Sequence, residues 1–449
     1  MTPLAPIFAT DPLHLEDLIG KAIAANGLQC DLNHIDVSKI ERFNALFMHW
    51  PKFNGDISRW DTSSATEMVS TFYQSGFKGD ISKWNTSKVT TMENMFKQSK
   101  FNGDISAWDV SNVDNMTSMF EKSHFNGDIS RWDVGRVRMM VNMFHEAKFN
   151  KDIANWNVGG VKYMTGMFNS ARFNKDISRW DVSNVRNMEC MFFQSPFKGD
   201  LSAWDVSKVY SFALMFADSK FNGDISNWNT ASATTMKSMF SCCAFNGDIS
   251  GWNVSNVTTM ESMFNRGYFN GDLSKWDVSN VTDMFQMFAW CKPFNGNIEN
   301  WNVSRVKTMN ALFAGTQFNG DLSRWDVRSA DDLSMMFAES SFARDISCWQ
   351  VQHEANTDSL FVDNPYFLPA QSMTPWVVAL HIKEGKSAAH PDWNLALSEV
   401  KPIALALGLD LDMHVQAVLA AHHRIVASLD TTCVLDAPVD PLVFESQNG

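Results

Sequence analysis

Aspartates recur along this chain at a spacing of 24 residues, and a column of carboxylates could bind a cation. They are Asp56, Asp80, Asp104, Asp128, Asp152, Asp176, Asp200, Asp224, Asp248, Asp272, Asp321 and Asp345, with Asn297 at the remaining position. Calcium requires several oxygen ligands and a sharp glycine turn. Lys151, Lys175 and Arg344 replace the preceding glycine and would repel a cation. We therefore predict no metal site, and expect each carboxylate to accept backbone N–H bonds in the turn that its Asn-Gly begins.

Tryptophans follow the aspartates at the same spacing, from Trp60 to Trp349, and exposed rings could stack on sugars or aromatic ligands. Each occupies the middle of an apolar pattern such as Ile105, Trp108 and Val110, in which the side chain points inward. The next residue alternates between aspartate and asparagine, which indicates a hydrogen-bond acceptor rather than a catalytic carboxylate. We predict that the Trp column, and likewise the methionine pairs, form the core.

Cysteines and histidines show no catalytic pattern. The seven cysteines match no zinc or disulfide spacing and predict reduced thiols in a reducing compartment. His414 and His422 could share a helix face, but no third ligand follows at a metal spacing. Nucleophile elbows, phosphate loops and dinucleotide fingerprints are absent from the sequence. We expect a protein that is not an enzyme and that needs no cofactor.

Charge and hydropathy restrict the partners and the compartment. The chain of 449 residues has a formal charge of −13, of which residues 53–349 contribute −3 and residues 350–449 contribute −8. No segment offers the basic face that nucleic acid requires, and an anionic membrane surface is disfavoured for the same reason. No run approaches the ~20 apolar residues of a spanning helix, and residues 1–10 do not resemble a secretory signal. We expect a cytoplasmic protein, a protein exported by a signal-independent route, or a surface protein whose signal was removed.

The repeat is clearest from Phe101 to Phe120, where the sequence reads FNGDISAWDVSNVDNMTSMF. Its opening phenylalanine recurs at Phe53, Phe77, Phe101, Phe125, Phe149, Phe173, Phe197, Phe221, Phe245, Phe269, Phe294, Phe318 and Phe342. One inserted residue near Lys292–Pro293 shifts the phase. A partial copy without tryptophan runs from Asp36 to Phe47. One copy is too short to bury its own apolar face, so the copies must stack on one another.

Within a copy the apolar period changes. The spacing of Ile105, Trp108 and Val110 predicts a short strand, and Val113, Met116, Met119 and Phe120 follow one face of a helix. The predicted fold class is therefore an α/β repeat solenoid that is leucine-rich-repeat-like. Each 24-residue coil would contribute one short strand and one short helix, with parallel in-register stacking and helical caps at both ends.

The repeat motif closely resembles the BspA-like leucine-rich-repeat proteins, a family abundant among mycoplasma surface lipoproteins. The similarity covers residues 36–349. It implies a solenoid that serves attachment or protein–protein recognition, often at a bacterial surface and in virulence. Many members carry an export signal or a lipid anchor, neither of which is visible in this sequence.

Five regions are expected along the chain. Residues 1–35 form a helical cap, and residues 36–349 form the solenoid of about thirteen full repeats and one partial repeat. Residues 350–375 connect to a helical region, 376–430, which is either a C-terminal cap or a small domain. Residues 431–449 form a frayed tail.

A binding surface is indicated where apolar residues replace polar ones on the outward face of the predicted helices. These residues are Met139, Val141, Tyr163, Phe193, Tyr210, Leu214, Phe285 and Trp290. Clustered exposed apolar groups mark contact sites. The cluster at 139–214 is favoured over the one at 285–293; local repacking or contact with the C-terminal segment are the alternatives.

Function follows from these features as an expectation. The chain is a bacterial or phage-related scaffold that recognises another macromolecule, most naturally a protein. Two rivals are a delivered effector or inhibitor, in which the helical tail carries the activity, and an enzyme within residues 376–430. The sequence leaves the partner and the oligomeric state open.

Overall fold

The computed structural model describes residues 7–344, 346, 348–352 and 354–365. The chain divides into two compact units, Met1–Phe367 and Leu368–Gly449, and all described residues lie in the first. The predictions for 376–430, for 431–449 and for the second half of the connector fall outside the described residues.

The N-terminal region contains the regular secondary structure of the described residues. Helix α1 spans Pro12–Asn26 and begins as predicted, because the Asp11 carboxylate accepts the His14 N–H at 3.0 Å and Pro12 occupies the first turn. It ends at Gly27, whose φ of 81° favours glycine. Strand β1 (Ile7–Phe8) pairs in parallel with strand β2 (Ile35–Asp36).

Successive repeats, which we call rungs, stack in parallel and in register. Single-residue parallel bridges join positions 24 residues apart, for example Asn115 to Met139 and Met139 to Tyr163. The bridges continue from Arg42 to Asn356, so that equivalent residues of successive rungs form columns. The partial copy that begins at Asp36 joins this stack, since the Phe43 N–H bonds to the Glu67 carbonyl.

The helix predicted in each repeat is wrong for the described rungs, which contain consecutive turns instead. In the rung at 116, the Met119 N–H bonds to the Met116 carbonyl, three residues back. Alternate N–H groups bond to the next rung: the Met116 N–H donates to the Met139 carbonyl at 3.0 Å, and the Ser118 N–H donates to the Val141 carbonyl at 2.8 Å. Ser118 has a φ of 53°, which no helix permits. Turns of this kind place residues i, i+3 and i+4 inward, as a helix does, so the apolar spacing is the same.

The strand predicted around each tryptophan is also replaced by turns. The Trp108 N–H bonds to the Ile105 carbonyl at 3.2 Å, and the Val113 N–H bonds to the Val110 carbonyl at 2.9 Å. Parallel bridging occurs instead at Asn115, just before the methionine. The segment from 105 to 113 therefore curves around the core, and the pairing between rungs lies further along the repeat.

Aromatic columns fill the core. Phe101 stacks on Phe125 of the next rung with a centroid distance of 6.4 Å, and Phe120 stacks on Phe125 at 4.3 Å. The thirteen tryptophans of the column, Trp60 to Trp349, are only 3–4% exposed, so the predicted Trp core is confirmed; Trp290 is not a member of the column. Each indole also donates to a carbonyl of the preceding rung, as from Trp132 Nε1 to Ile105 at 3.1 Å. The methionine pairs are buried as predicted.

The stack absorbs the inserted residue and extends past the last tryptophan. Phe294 stays between Phe269 and Phe318, at centroid distances of 6.5 and 5.9 Å. Beyond Trp349, where the sequence predicts a connector, residues 354–365 form a further segment of turns. Leu360 and Phe361 are buried 24 residues after Met336 and Phe337, and Asp332 bridges to Asn356.

Parallel in-register stacking is thus a property of the described rungs, whereas the strand-and-helix content of a leucine-rich repeat is not. The assignment of the stack to the leucine-rich-repeat-like solenoid class stays a prediction. Within the described residues, no helix is long and apolar enough to cross a membrane.

Candidate functional site: outward columns of the stack

The Asp column bonds to its own backbone, as predicted. Asp128 Oδ1 accepts the Ser130 N–H at 2.9 Å, and the same bond recurs two residues after each aspartate of the column from Asp56 to Asp321. These backbone bonds lower the pKa of Asp128 and of Asp104 below the ordinary value. No group of three or more His, Cys, Asp or Glu side chains that could hold a metal occurs among the residues that the structure describes.

The glycine before these aspartates serves packing rather than backbone conformation. Positive φ values occur at Gly27, Gly166 and Gly315, and not at the Asn-Gly-Asp glycines. A Cβ at Gly103 would lie 2.9 Å from the ring of Phe101. Since the φ at these positions is not positive, the backbone itself does not exclude the lysines at 151 and 175.

Six of the eight predicted binding residues fall on four successive rungs, and we call them the Tyr210 patch: Met139, Val141, Tyr163, Phe193, Tyr210 and Leu214. Met139 and Tyr163 are bridge partners in adjacent rungs. Tyr210 is 42% exposed, and its hydroxyl lies 3.4 Å from Asn187 Nδ2. The other five side chains are only partly exposed. The six residues do lie together on the stack, but most of their apolar surface is buried against neighbouring rungs.

The other two predicted residues, Phe285 and Trp290, occupy one rung. Trp290 is 38% exposed and packs over the backbone of Gly315 in the next rung, where a Cβ would collide with the indole. Gly315 has a φ of 67°, so glycine fits this position for two reasons. Phe285 is partly exposed and has its N–H bonded to Asp283 Oδ1 at 2.9 Å.

A floor of small side chains distinguishes this second region. Ala289, Ala311, Ala314 and Ala338 form a buried cluster, and Val362 packs against it. Met335, which the sequence prediction does not include, is 44% exposed and lies three residues before Ala338. We call Phe285, Trp290, Met335 and the four alanines the Trp290 patch.

The column that holds Ala289, Ala314 and Ala338 in the Trp290 patch carries charges near the N-terminal end of the stack. Lys97 Nζ lies 2.9 Å from Glu121 Oε2, and His145 Nδ1 lies 3.7 Å from Glu121 Oε1. Burial alone would raise the pKa of Glu121, but bonds from His145, Lys97 and Ser118 outweigh it and lower that pKa to about 2. This column therefore changes from charged residues near one end of the stack to alanines near the other.

Other exposed apolar residues lie at the N-terminal cap. Leu13 on α1 is exposed. A groove of about 520 Å³ separates α1 from Trp50 and is lined by Leu13, Glu16 and Gly20. The groove is wide open to solvent, and its charged rim includes the Lys21–Asp17 pair at 2.6 Å.

The cysteines of the described residues are free thiols. Burial raises the pKa of Cys291 to about 12 and that of Cys190 to about 11. At neutral pH these sulfurs are protonated, so they are poor nucleophiles.

The sequence matches one known protein family. The model described as "Mycoplasma protein of unknown function, DUF285" matches residues 17–124, 92–196, 171–270, 193–290 and 265–376. The chain belongs to the DUF285 family. The predicted similarity to a mycoplasma repeat family is thereby confirmed, while the BspA-like leucine-rich-repeat name is a finer assignment.

The DUF285 matches overlap and extend beyond the predicted array at both ends, to residue 17 and to residue 376. They therefore include residues 17–26 of helix α1 and the turn segment at 354–365. No curated protein and no solved structure gives a significant match to the chain.

Proposed function

We propose that this DUF285 protein is a non-enzymatic scaffold of the BspA-like leucine-rich-repeat solenoid type that binds another protein through the Trp290 patch. The observation that carries the proposal is the exposed indole of Trp290 beside a buried alanine floor. Aromatic side chains that can bury fully in a partner are the usual anchors of protein interfaces.

Periodicity favours the Trp290 patch as the docking surface. Most outward columns repeat the same polar residues, so a ligand could slip by one rung at little cost. The repeat pattern is interrupted at residues 285–338 by three features: the insertion near 292, the alanine floor, and the two exposed side chains Trp290 and Met335. A partner that fits here has one register only.

The Tyr210 patch is the weaker candidate, although the sequence favours it. Its exposed ring is Tyr210, whose hydroxyl contacts Asn187, and its remaining members are partly covered by neighbouring rungs. The Trp290 patch offers two exposed large apolar side chains, and fully desolvated apolar anchors contribute more than half-buried ones.

An adhesin-like role at a bacterial surface accords with membership of a mycoplasma family, and we include it in the proposal. Such a role requires recognition of one partner by the outward columns, without any chemistry on that partner. It also requires that the patch be accessible in the full-length chain.

Site-specific photo-crosslinking in the full chain tests the proposal. A benzophenone amino acid replaces Trp290, Tyr210 or Tyr268 in three separate variants, which are exposed to lysates of candidate partner cells. We expect one protein to crosslink at position 290, and an excess of the unmodified chain to compete for it. Equal labelling from all three positions, or labelling from 268 alone, would contradict a Trp290 docking site.

A further inference from the structure

Basic residues line one edge of the stack, where each rung turns into its opening phenylalanine. Eight consecutive rungs contribute at least one such side chain, within three positions of that phenylalanine. We call this set the basic edge: Lys52, Lys78, Lys100, His124, Lys148, Lys151, Arg172, Lys175, Lys198 and Lys220. No single segment of the sequence is basic, but the stack aligns basic side chains that lie far apart in sequence.

The cations of the basic edge are unpaired within the described residues. All ten side chains are exposed, and none forms an ion pair in the described part of the chain, although Lys151 lies close enough to Asp128 to lower the pKa of that carboxyl. Burial and the neighbouring Lys148, Lys100 and Lys78 lower the pKa of His124 below its ordinary value, so His124 is a neutral donor at neutral pH and the other nine side chains carry the positive charge. Such a row attracts an anionic ligand.

Neutral donors lie beside these cations. Asn126 N–H bonds to Asn102 Oδ1 at 2.7 Å, and Asn150 N–H bonds to Asn126 Oδ1 at 2.9 Å. In this ladder the amide oxygens of Asn102 and Asn126 accept hydrogen bonds. Their Nδ2 groups have no acceptor among the described residues and can donate to a ligand. The edge therefore offers charged and neutral donors in alternation, which suits a ligand rich in anionic and hydroxyl oxygens.

We propose that the basic edge binds a linear acidic polysaccharide that carries sulfate or carboxylate groups, lying along the stack. In-register parallel pairing separates neighbouring rungs by about 4.8 Å. That distance is close to the length of one pyranose unit, so successive sugars would meet equivalent donors. The site is a second ligand surface, distinct from the Trp290 patch, and does not depend on the proposed protein partner.

Other polyanions fit the edge less well. An extended peptide presents alternate side chains on one face every ~6.6 Å, and a stacked nucleic-acid strand has a phosphate every ~3.4 Å. Single strands also need aromatic platforms. Between Lys52 and Lys220 the basic edge has none, and the exposed Tyr268 of the same column lies two rungs beyond it. A membrane presents a plane of charge, whereas this is a single row.

Binding of heparin oligosaccharides to the full chain, measured by calorimetry at low salt, tests the proposal. The triple variant Lys100→Gln/Lys148→Gln/Arg172→Gln should bind roughly tenfold more weakly, since exposed charge contacts are individually weak but add along a row. Affinity should rise with oligosaccharide length up to about 34 Å, the span of eight rungs, and should fall with added salt.

The matched control is Lys83→Gln/Arg131→Gln/Arg179→Gln. It removes the same charge from rungs of the same region, but each of these residues lies near an aspartate of the Asp column. We expect this control to bind like the parent. Absence of heparin binding by the parent, equal loss in both triple variants, or tighter binding of polyglutamate or a single-stranded oligonucleotide than of heparin would overturn the proposal.

Discussion

At the scale of single residues, the buried indole hydrogen bonds explain why tryptophan recurs in thirteen rungs. Trp180 is almost fully buried, and its Nε1 donates to the Ile153 carbonyl at 3.1 Å. The bond joins each rung to the one before it, so the column stabilises the stack both by packing and by hydrogen-bonding buried carbonyl groups. Tyrosine or phenylalanine at this position would fill space without reaching that carbonyl.

Replacement of Trp180 tests this role. Trp180→Phe should destabilise the stack by about 1–3 kcal/mol, because the Ile153 carbonyl loses one of its two donors, the other being the Trp156 N–H, and the smaller ring leaves a cavity. Trp180→Ala should cost about 3–5 kcal/mol through the added cavity. Hydrogen exchange of the amides near 153–180 is the measurement, with the exposed Arg179→Ala as a control that should change little. Equal exchange in Trp180→Phe and the parent would show that the indole bond adds no stability.

Acid should destabilise the protein in a defined pH range. Backbone and serine bonds lower the pKa of the column aspartates from 3.8, and the pKa of Glu121 falls from 4.5 to about 2. Since these folded-state values are depressed, their stabilisation is fully present above the unfolded values and is lost as the pH falls through the folded ones.

The melting temperature should therefore be constant from neutral pH to about 5 and should fall steadily below about 4. Glu121→Gln should lower the melting temperature at pH 7 and have less effect at pH 2–3, where the parent carboxylate is itself becoming protonated. A melting temperature that rises on acidification from pH 5 to pH 3 would contradict this account of the carboxylates.

At the scale of the elements, the consecutive turns depend on left-handed residues at two positions in nearly every rung. Ser262 (φ 54°) and Arg266 (φ 54°) are one such pair. Among the described residues with positive φ, none is valine, isoleucine or threonine. Branching at Cβ is strongly disfavoured in this conformation, so the sequence of the turns reflects a backbone requirement.

Valine at such a position should unfold the turn locally. Ser262→Val should cost about 1–3 kcal/mol, whereas Ser262→Gly should be close to neutral. Ser274→Val, at a half-buried serine whose φ is not positive, is the matched control; it loses the hydroxyl bond to Asp272 but should still be tolerated better. Thermal denaturation followed by circular dichroism measures all three. If Ser262→Val were as stable as Ser274→Val, the left-handed turn would not be the conformation in solution.

The same elements show what the sequence could predict and what it could not. The inward side of each rung follows from apolar spacing, so the buried Trp108 and Met116 are predicted correctly. The helix prediction fails because Met116, Met119 and Phe120 have the same spacing in a chain of turns. Only the left-handed φ values distinguish the two, and asparagine, serine and glutamine at those positions carry no strong signal.

At the scale of the whole molecule, stacking converts residues 24 apart into neighbours, and this creates surfaces that composition conceals. The alanine floor beneath Trp290 joins residues from three rungs. The basic edge joins Lys52 to Lys220, although the segment containing them is almost neutral. Met335 is missed by sequence reasoning for a related reason: its exposure depends on its left-handed backbone, not on its apolar spacing.

The affinity of the partner that crosslinks at position 290 tests the central claim most directly. Titration should show that Phe285→Ser/Trp290→Ser binds at least roughly thirtyfold more weakly than the parent, because truncation of a buried aromatic anchor costs about 2 kcal/mol or more. Tyr163→Ser/Tyr210→Ser, which should lower the melting temperature but stay folded, should bind as the parent does. If the first variant stays folded and keeps full affinity while the second loses it, binding is centred on the Tyr210 patch and the account is contradicted.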